Sequence, residues 1–235
     1  IFAFDAKNEC VAEVMDGETV LFRTHDCFDN QLSEEGICIG ALNWDRINPA
    51  TGPVYVQNAK AGDVLKVEIL EIVLDKQGVM CALPENGVLG SLVKEESVKR
   101  IKVEDGKVHF TDKLVFDITP MIGVIGVAPE NGSLNCGTPG CHGGNMDNKR
   151  IKVGASLYFP VFHEGAIFSL GDVHAAMGDG EVMVSGVEIS ADVKVRLSVI
   201  KGIHIETPML ENEEFCGVIY SHEEIEKRFS MRYAS

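Results

Sequence analysis

Long apolar runs are missing from this chain, and so is any excess of positive charge. A bilayer-spanning helix needs about 18 to 20 consecutive apolar residues; the best run, Met121 to Pro129, is short and broken by Gly123 and Gly126, so no membrane partner is expected. Only 21 Lys and Arg stand against 36 Asp and Glu, for a formal net charge of −15. A nucleic-acid binder neutralises phosphates with clustered basic side chains, so no nucleic-acid partner is expected either. A small neutral substrate, or a cation held by carboxylates, is easier to reconcile with this balance. The seven cysteines do not form a disulfide framework, and their odd number leaves at least one free thiol, which points to a reducing cytoplasm. Repeats, low-complexity tracts and linkers are absent, and helical periodicity is scarce. The chain opens Ile1-Phe2-Ala3-Phe4-Asp5, without a methionine, a basic n-region or a signal-like apolar core. Such an opening fits residues ahead of Ile1 or a processed start.

What is present is a globular composition with strand periodicity. The 235 residues are 45% hydrophobic and 24% charged, enough for one large domain or two small ones with a buried core. From Val187 to Val199 every odd position is apolar, while the even positions read Glu188, Ser190, Asp192, Lys194, Arg196 and Ser198. A period of two places one set on a core face and the other in solvent, so this is a long half-exposed strand. Leu65, Val67 and Ile69 repeat the pattern after the Gly62-Asp63 turn, and shorter strands are expected at 108–110 and 114–116 around Thr111-Asp112. Gly and Asx punctuate the chain about every eight to twelve positions, as in sandwiches and barrels. Short helices are expected around Ser91 to Lys94 and at the C-terminus, where Ser221 and Glu224 have capping-box spacing before Ile225 and Phe229. The fold class is therefore mainly β, with sandwich- or barrel-like β subdomains and a small α+β C-terminal part. Turns place boundaries near Thr119-Pro120 and Ile200-Lys201-Gly202, dividing the chain into 1–119, 120–200 and 201–235. Trp44, beside Asp45 and Arg46, reads as a core or interface residue.

Three short regions concentrate polar residues where no core or surface pattern demands them. In the first, Thr24-His25-Asp26-Cys27-Phe28-Asp29-Asn30-Gln31 follows the apolar Val20-Leu21-Phe22. A strand running out into acids and amides delivers Asp26 as a possible metal ligand and Asn30 and Gln31 as N–H donors; the plainer reading is an Asx-rich turn. In the second, Asn135 to Lys149, glycines including Gly143 and Gly144 allow close approach of backbone to a substrate. His142, Asn145 and Asp147 project from that loop. Cys136 with Cys141-His142 suggests zinc, but the second cysteine pair of a structural zinc site is missing. The third region is Gly171-Asp172-Val173-His174, followed by Gly178-Asp179-Gly180-Glu181. In an extended chain Asp172 and His174 point the same way, and a carboxylate beside an imidazole is a natural ligand pair for a catalytic divalent metal. A hairpin through Gly178-Asp179-Gly180 could return Glu181 beside them as a general base; alternatively Asp172 simply caps that turn.

Together with Asn48-Pro49-Ala50-Thr51-Gly52-Pro53-Val54-Tyr55-Val56, Ala61-Gly62-Asp63-Val64-Leu65 and Gly123-Val124-Ile125-Gly126-Val127-Ala128-Pro129, these regions resemble the acetamidase/formamidase family. His142-Gly143-Gly144-Asn145-Met146-Asp147 and Gly171-Asp172-Val173-His174 belong to the match, which runs in order from about Phe4 to Pro208. After Pro208 the chain is short and acidic, where the family carries a longer helical end. The resemblance implies a β-rich fold of several subdomains, hydrolysis of a small aliphatic amide with release of ammonia, a bound divalent metal, and a homodimer or higher homo-oligomer.

As a hypothesis, a metal on Asp26, His142, Asp172 and His174 lowers the pKa of a water. Glu181 or Asp147 then takes the proton, and Asn145 or Gln31 stabilises the oxyanion, with Asn30, Gly143 and Gly144 holding substrate. The mixed oxygen and nitrogen set suits zinc first, then manganese; a more oxygen-rich set suits calcium or magnesium. Two rival readings are a cysteine amidase using Cys141 or Cys27, and a non-catalytic β-domain that binds metal or ligand. A Ser-cis-Ser-Lys amidase signature is absent.

Overall fold

A computed structural model describes residues 1–222 of the chain. Its strands are β1 (Ala3–Asp5), β2 (Ala12–Val14), β3 (Thr19–Thr24), β4 (Ala50–Val56), β5 (Val64–Ala82) and β6 (Ser97–Glu104). Then come β7 (Lys107–His109), β8 (Val115–Asp117), β9 (Met121–Gly126), β10 (Ser133–Asn135) and β11 (Gly143–Asn145). The last five are β12 (Ser156–Pro160), β13 (Phe168–His174), β14 (Glu188–Ile200), β15 (Met209–Glu211) and β16 (Cys216–Val218). Among the described residues the only helical turns are short 3-10 segments at Ile39–Ala41, Trp44–Arg46 and Gly90–Leu92. The fold is mainly β, as the alternation predicts. The expected helix near Ser91 is the single turn Gly90–Leu92, and the one expected beyond Ser221 lies outside the described residues.

β1 and β10 form a two-stranded sheet; the other strands form one branched sheet whose central path runs β11-β9-β13-β14-β5-β12-β15-β16. β14 lies antiparallel to β5 from Glu188↔Val79 to Ile200↔Val64, with two register shifts. Its odd positions from Ile189 to Leu197 are buried, as the period of two requires. The other edge of β14 is shared: β13 takes Glu188 and Ile189, and β3 takes Ala191 to Arg196. β13 divides its edge in the same way. It pairs with β4 up to Gly171 and with β14 from Val173, while β9 runs along its opposite edge. Asp172 lies at this change of neighbour with φ +53°, a backbone region that non-glycine residues enter only when the surroundings hold them there.

The main core joins Leu65, Val67 and Ile69 of β5 to Val193, Val195 and Leu197 of β14 and Leu157 and Phe159 of β12. Phe168 of β13 packs edge-on against Phe22 of β3, ring centroids 5.7 Å apart. A smaller cluster, with Cys27, Phe28, Leu32, Ile39, Leu42, Val79 and Cys81, anchors the 27–42 connection against β5. Of the two places the sequence allows Trp44, the core is excluded, since it is 57% exposed on its 3-10 turn. One sequence expectation is corrected here. Glu188, expected on the solvent face, is 1% exposed because β13 and the segment after β3 cover the start of β14.

Candidate active site

The change of neighbour at Asp172 brings five ionisable side chains together. His174 Nε2 lies 3.1 Å from Glu188 Oε2, 3.2 Å from Asp172 Oδ1 and 3.9 Å from Asp147 Oδ1. Register explains part of this: Glu188 is the residue directly opposite His174 in the β13–β14 pair. Asp147 arrives just past the end of β11, which pairs with β9. Glu181, in the connection between β13 and β14, lies beside Asp147 and accepts from the Gly186 N–H at 2.8 Å. The same N–H approaches Glu188 Oε1 at 2.7 Å.

Two glycines leave the room this cluster occupies. A Cβ at Gly123 of β9 would sit 2.5 Å from Asp172 Oδ2 and 2.6 Å from Asp147 Oδ1. A Cβ at Gly186 would sit 2.5 Å from His174 Nδ1. Side chains at either position would occupy the space of the functional atoms themselves.

Four carboxylates around one imidazole in a dry site are costly unless protons or a cation neutralise them. Burial, reinforced by Asp172 and Glu181, pushes Asp147 up to about 7. Burial likewise pushes Glu188 up to about 8 against the pull of His174. Burial alone would lower His174, but the Glu188 and Asp172 carboxylates outweigh it and hold the imidazole well above its ordinary value. One Nε2–H cannot serve three acceptors, and Asp147 Oδ1 and Glu188 Oε2 are buried without a hydrogen-bond donor. Orphaned carboxylate oxygens around a ring nitrogen fit a divalent cation. Ligand atoms lie within 4.8 Å of one another in three overlapping sets: Asp147, Asp172 and His174; His174, Glu181 and Glu188; and Cys27, Asp172 and Glu188.

Of the residues singled out in the sequence, Asp147, Asp172, His174 and Glu181 converge, and the Asn145 side chain lies beside Asp147. Asp26 lies close enough to feel the Asp172 charge, but its Oδ1 accepts from the Phe28 and Asn30 N–H groups at 3.0 and 2.8 Å. Asn30 uses its Oδ1 on Ser190 and on the Asp26 N–H. Gln31 points elsewhere, bonded at both ends of its amide to the main chain of Asn43. Gly143 and Gly144 lie in β11, against Gly126 and Ile125. His142 is buried at the head of that strand and belongs to none of the three ligand sets. Glu188 is the member that sequence reasoning missed. The usable signal was its position: a hairpin linking β13 to β14 sets it opposite His174.

The sequence profile of the acetamidase/formamidase family matches residues 5–136 and 133–234. The chain belongs to the acetamidase/formamidase family. Within this family it is similar to a predicted acetamidase/formamidase from Thermoanaerobacter tengcongensis, at 48% identity and a TM-score of 0.95, over 98% of this chain and 77% of that one. It is also similar to an acetamidase from Bacillus halodurans, at 44% identity and a TM-score of 0.88, over 91% of this chain and 72% of the other. A 62-residue stretch is 40% identical to the acetamidase of Mycolicibacterium smegmatis, covering 26% of this chain and 15% of that protein. The chain spans 62% of the length of a curated Schizosaccharomyces pombe relative, to which it is 24% identical over 253 residues.

Proposed function

We propose that this chain is an amidohydrolase that cleaves small aliphatic amides of the acetamide or formamide type to carboxylate and ammonia, with a water activated at the Asp147–Asp172–His174 cluster. The observation that carries the reading is the convergence of orphaned carboxylate oxygens on His174 Nε2 beneath Gly123. Family membership and the similarity to enzymes described as acetamidases support the choice of amide as substrate. Asp147, Asp172 and His174 would hold a divalent ion, with zinc first and manganese, magnesium or calcium as alternatives. Such an ion supplies Lewis-acid polarisation of water and of the amide carbonyl.

The chain's own groups supply the rest. Glu181 has one oxygen on the Gly186 N–H, which steers its carboxylate toward Asp147, and it takes the proton as the new C–O bond forms. The same proton passes to the departing nitrogen as the C–N bond breaks, so ammonia leaves, and the carboxylic acid formed gives its remaining proton to that ammonia, leaving carboxylate and ammonium. Asn145, whose side-chain amide lies beside Asp147, has N–H groups to offer the carbonyl oxygen as negative charge grows there. A cysteine nucleophile has less support. Burial, followed by the Glu188 charge, holds the Cys27 thiol well above its ordinary value, and burial with Glu206 raises Cys141, so neither favours a thiolate.

The seven cysteines are all free, which supports a reducing cytoplasmic setting. Exposed Leu114 and Val115 beside and on the edge strand β8 support a homodimer or larger homo-oligomer, which light scattering would measure. The deciding experiment is ammonia release from formamide and acetamide before and after chelation, with divalent ions added back. Activity lost with chelator and restored by one ion supports the whole scheme. Release indifferent to chelation removes the ion from it, and no release from either amide refutes the substrate assignment.

A further inference from the structure

Cys27 stands where two environments meet. On one side it belongs to the smaller apolar cluster, with Phe28, Leu32, Val79 and Cys81. On the other, its Sγ lies within 4.8 Å of a carboxylate oxygen of Asp172 and of one of Glu188, and those two oxygens are equally close to each other. The segment that carries it is fixed. Asp26 Oδ1 accepts the Phe28 and Asn30 N–H groups at 3.0 and 2.8 Å, and the Cys27 carbonyl accepts the Asn48 N–H at 2.7 Å. Asp26 thus braces the turn, and the buried Cys27 thiol is what this segment delivers to the cluster.

A thiol among apolar side chains alone is ordinary packing; a thiol beside two buried acids offers a ligand set. Glu188 is 1% exposed, and its Oε2 lies 3.1 Å from His174 Nε2 without a hydrogen-bond donor. Asp147 Oδ1 is orphaned too, yet no ligand set contains both Asp147 and Glu188, and none contains both Cys27 and His174. An ion of the zinc type holds its ligands at about 2.0–2.3 Å, so they lie within about 4.6 Å of one another. An ion seated on Asp147, Asp172 and His174 therefore leaves Cys27 outside its reach. Charge points the same way. One divalent ion among ionised Asp147, Asp172, Glu181 and Glu188 leaves two negative charges in a buried site, whereas a second ion joined by the Cys27 thiolate leaves one.

We propose that Cys27, Asp172 and Glu188 hold a second divalent ion, of the thiophilic kind that zinc represents, and that Asp172 is shared between it and the ion on Asp147 and His174. The inference rests on the reading of the cluster as a metal centre. A thiolate beside two uncompensated carboxylates is repelled, and the first ion removes that repulsion, so the Cys27 seat fills second. Cys27 releases its thiol proton to solvent as the sulfur–metal bond forms. A paired centre supplies a clamp on the attacking and departing atoms together.

The test strips the full chain with chelator and titrates it with cobalt(II), reading absorption and bound metal on the same samples. Two ions per chain should bind, and the sulfur-to-cobalt charge-transfer band should appear only with the second. Cys27→Ser should abolish that band and leave one ion per chain. The other cysteines are free as well, so the variant rather than the band alone assigns the sulfur. If Cys27→Ser does not fold, X-ray absorption of the unmodified chain loaded with zinc serves instead. A sulfur neighbour at about 2.3 Å on half of the zinc is expected, and no sulfur neighbour overturns the proposal. One ion at saturation, two ions without the band, or a band that survives in folded Cys27→Ser overturns the second seat while leaving the first in place. Failure to bind any ion overturns the metal reading of the cluster itself, and the second seat with it.

Discussion

Each member of the cluster has a job that a conservative substitution can expose. Asp172→Ala and His174→Ala should each remove both bound metal and turnover; activity persisting in a metal-free variant would sink the proposed scheme. Asn145→Ala should leave metal content unchanged and lower kcat about a hundredfold, or about 3 kcal/mol, the usual worth of one donor to a growing oxyanion. A change confined to KM would instead assign Asn145 to ground-state binding. Glu188→Gln keeps shape but removes a charge opposite His174. Metal affinity should fall about tenfold to a hundredfold, as for other residues that orient metal ligands, and elemental analysis after dialysis would read it. The Asp172 and His174 pair was legible in the sequence because two residues apart in a strand share a face. Glu188 was not, because alternation assigns it to solvent and only its cross-strand neighbour and the covering segment bury it.

The elements hold these residues by close approach. β9 passes so near β13 that position 123 has no room for a methyl group beside Asp172 and Asp147. Gly123→Ala should therefore cost about 1–3 kcal/mol of stability from overpacking and abolish metal binding as the two carboxylates are pushed apart. Denaturant unfolding with metal analysis on the same sample would test both. The β3–β14 pair is held by Thr24, whose hydroxyl donates to the Ala191 carbonyl and accepts the Ala191 N–H, both at 3.2 Å. Thr24→Val keeps the shape and strands those groups, so a loss of about 1–3 kcal/mol is expected. A neutral result would mean that Thr24 does not organise the segment leading to Asp26. Sequence alternation revealed the buried face of β14 from Ile189 to Leu197. It could not reveal that β14 has two partners on one edge, since pairing across the molecule leaves no local pattern.

At the scale of the whole molecule, the buried acids tie stability to pH. Free carboxyls ionise near 4, whereas Asp147 does so at about 7 and Glu188 at about 8 in the folded state. Between those limits the folded chain retains protons that the unfolded chain has released. Stability of the metal-free protein should therefore be full at pH 4 as far as these groups are concerned, and should fall as pH rises toward 8. His174, held above its ordinary value, works in the same direction, because its charged form is favoured by folding and lost as pH rises through the raised value. A divalent ion should reverse the trend, since it replaces the missing protons and binds only the folded site. Melting curves of chelated protein from pH 4.5 to 8, repeated with ion restored, should show a falling series and then its recovery. A flat chelated series would mean that the cluster holds no excess protons.

Composition, alternation and turn residues determined on their own that this chain is mainly β, that it carries no apolar run long enough for a bilayer-spanning helix, and that polar side chains gather in three segments. These are local properties: a period of two needs only neighbouring residues, and a motif needs only its own spacing. The tertiary structure decided which of the three segments meet. It set Asp147 against Asp172 and His174 across a glycine, brought in Glu188, spent Gln31 on the main chain of Asn43, and left His142 outside the ligand sets. Those outcomes depend on register and on which strand edge is shared with which partner, and contacts between residues far apart in the chain fix both.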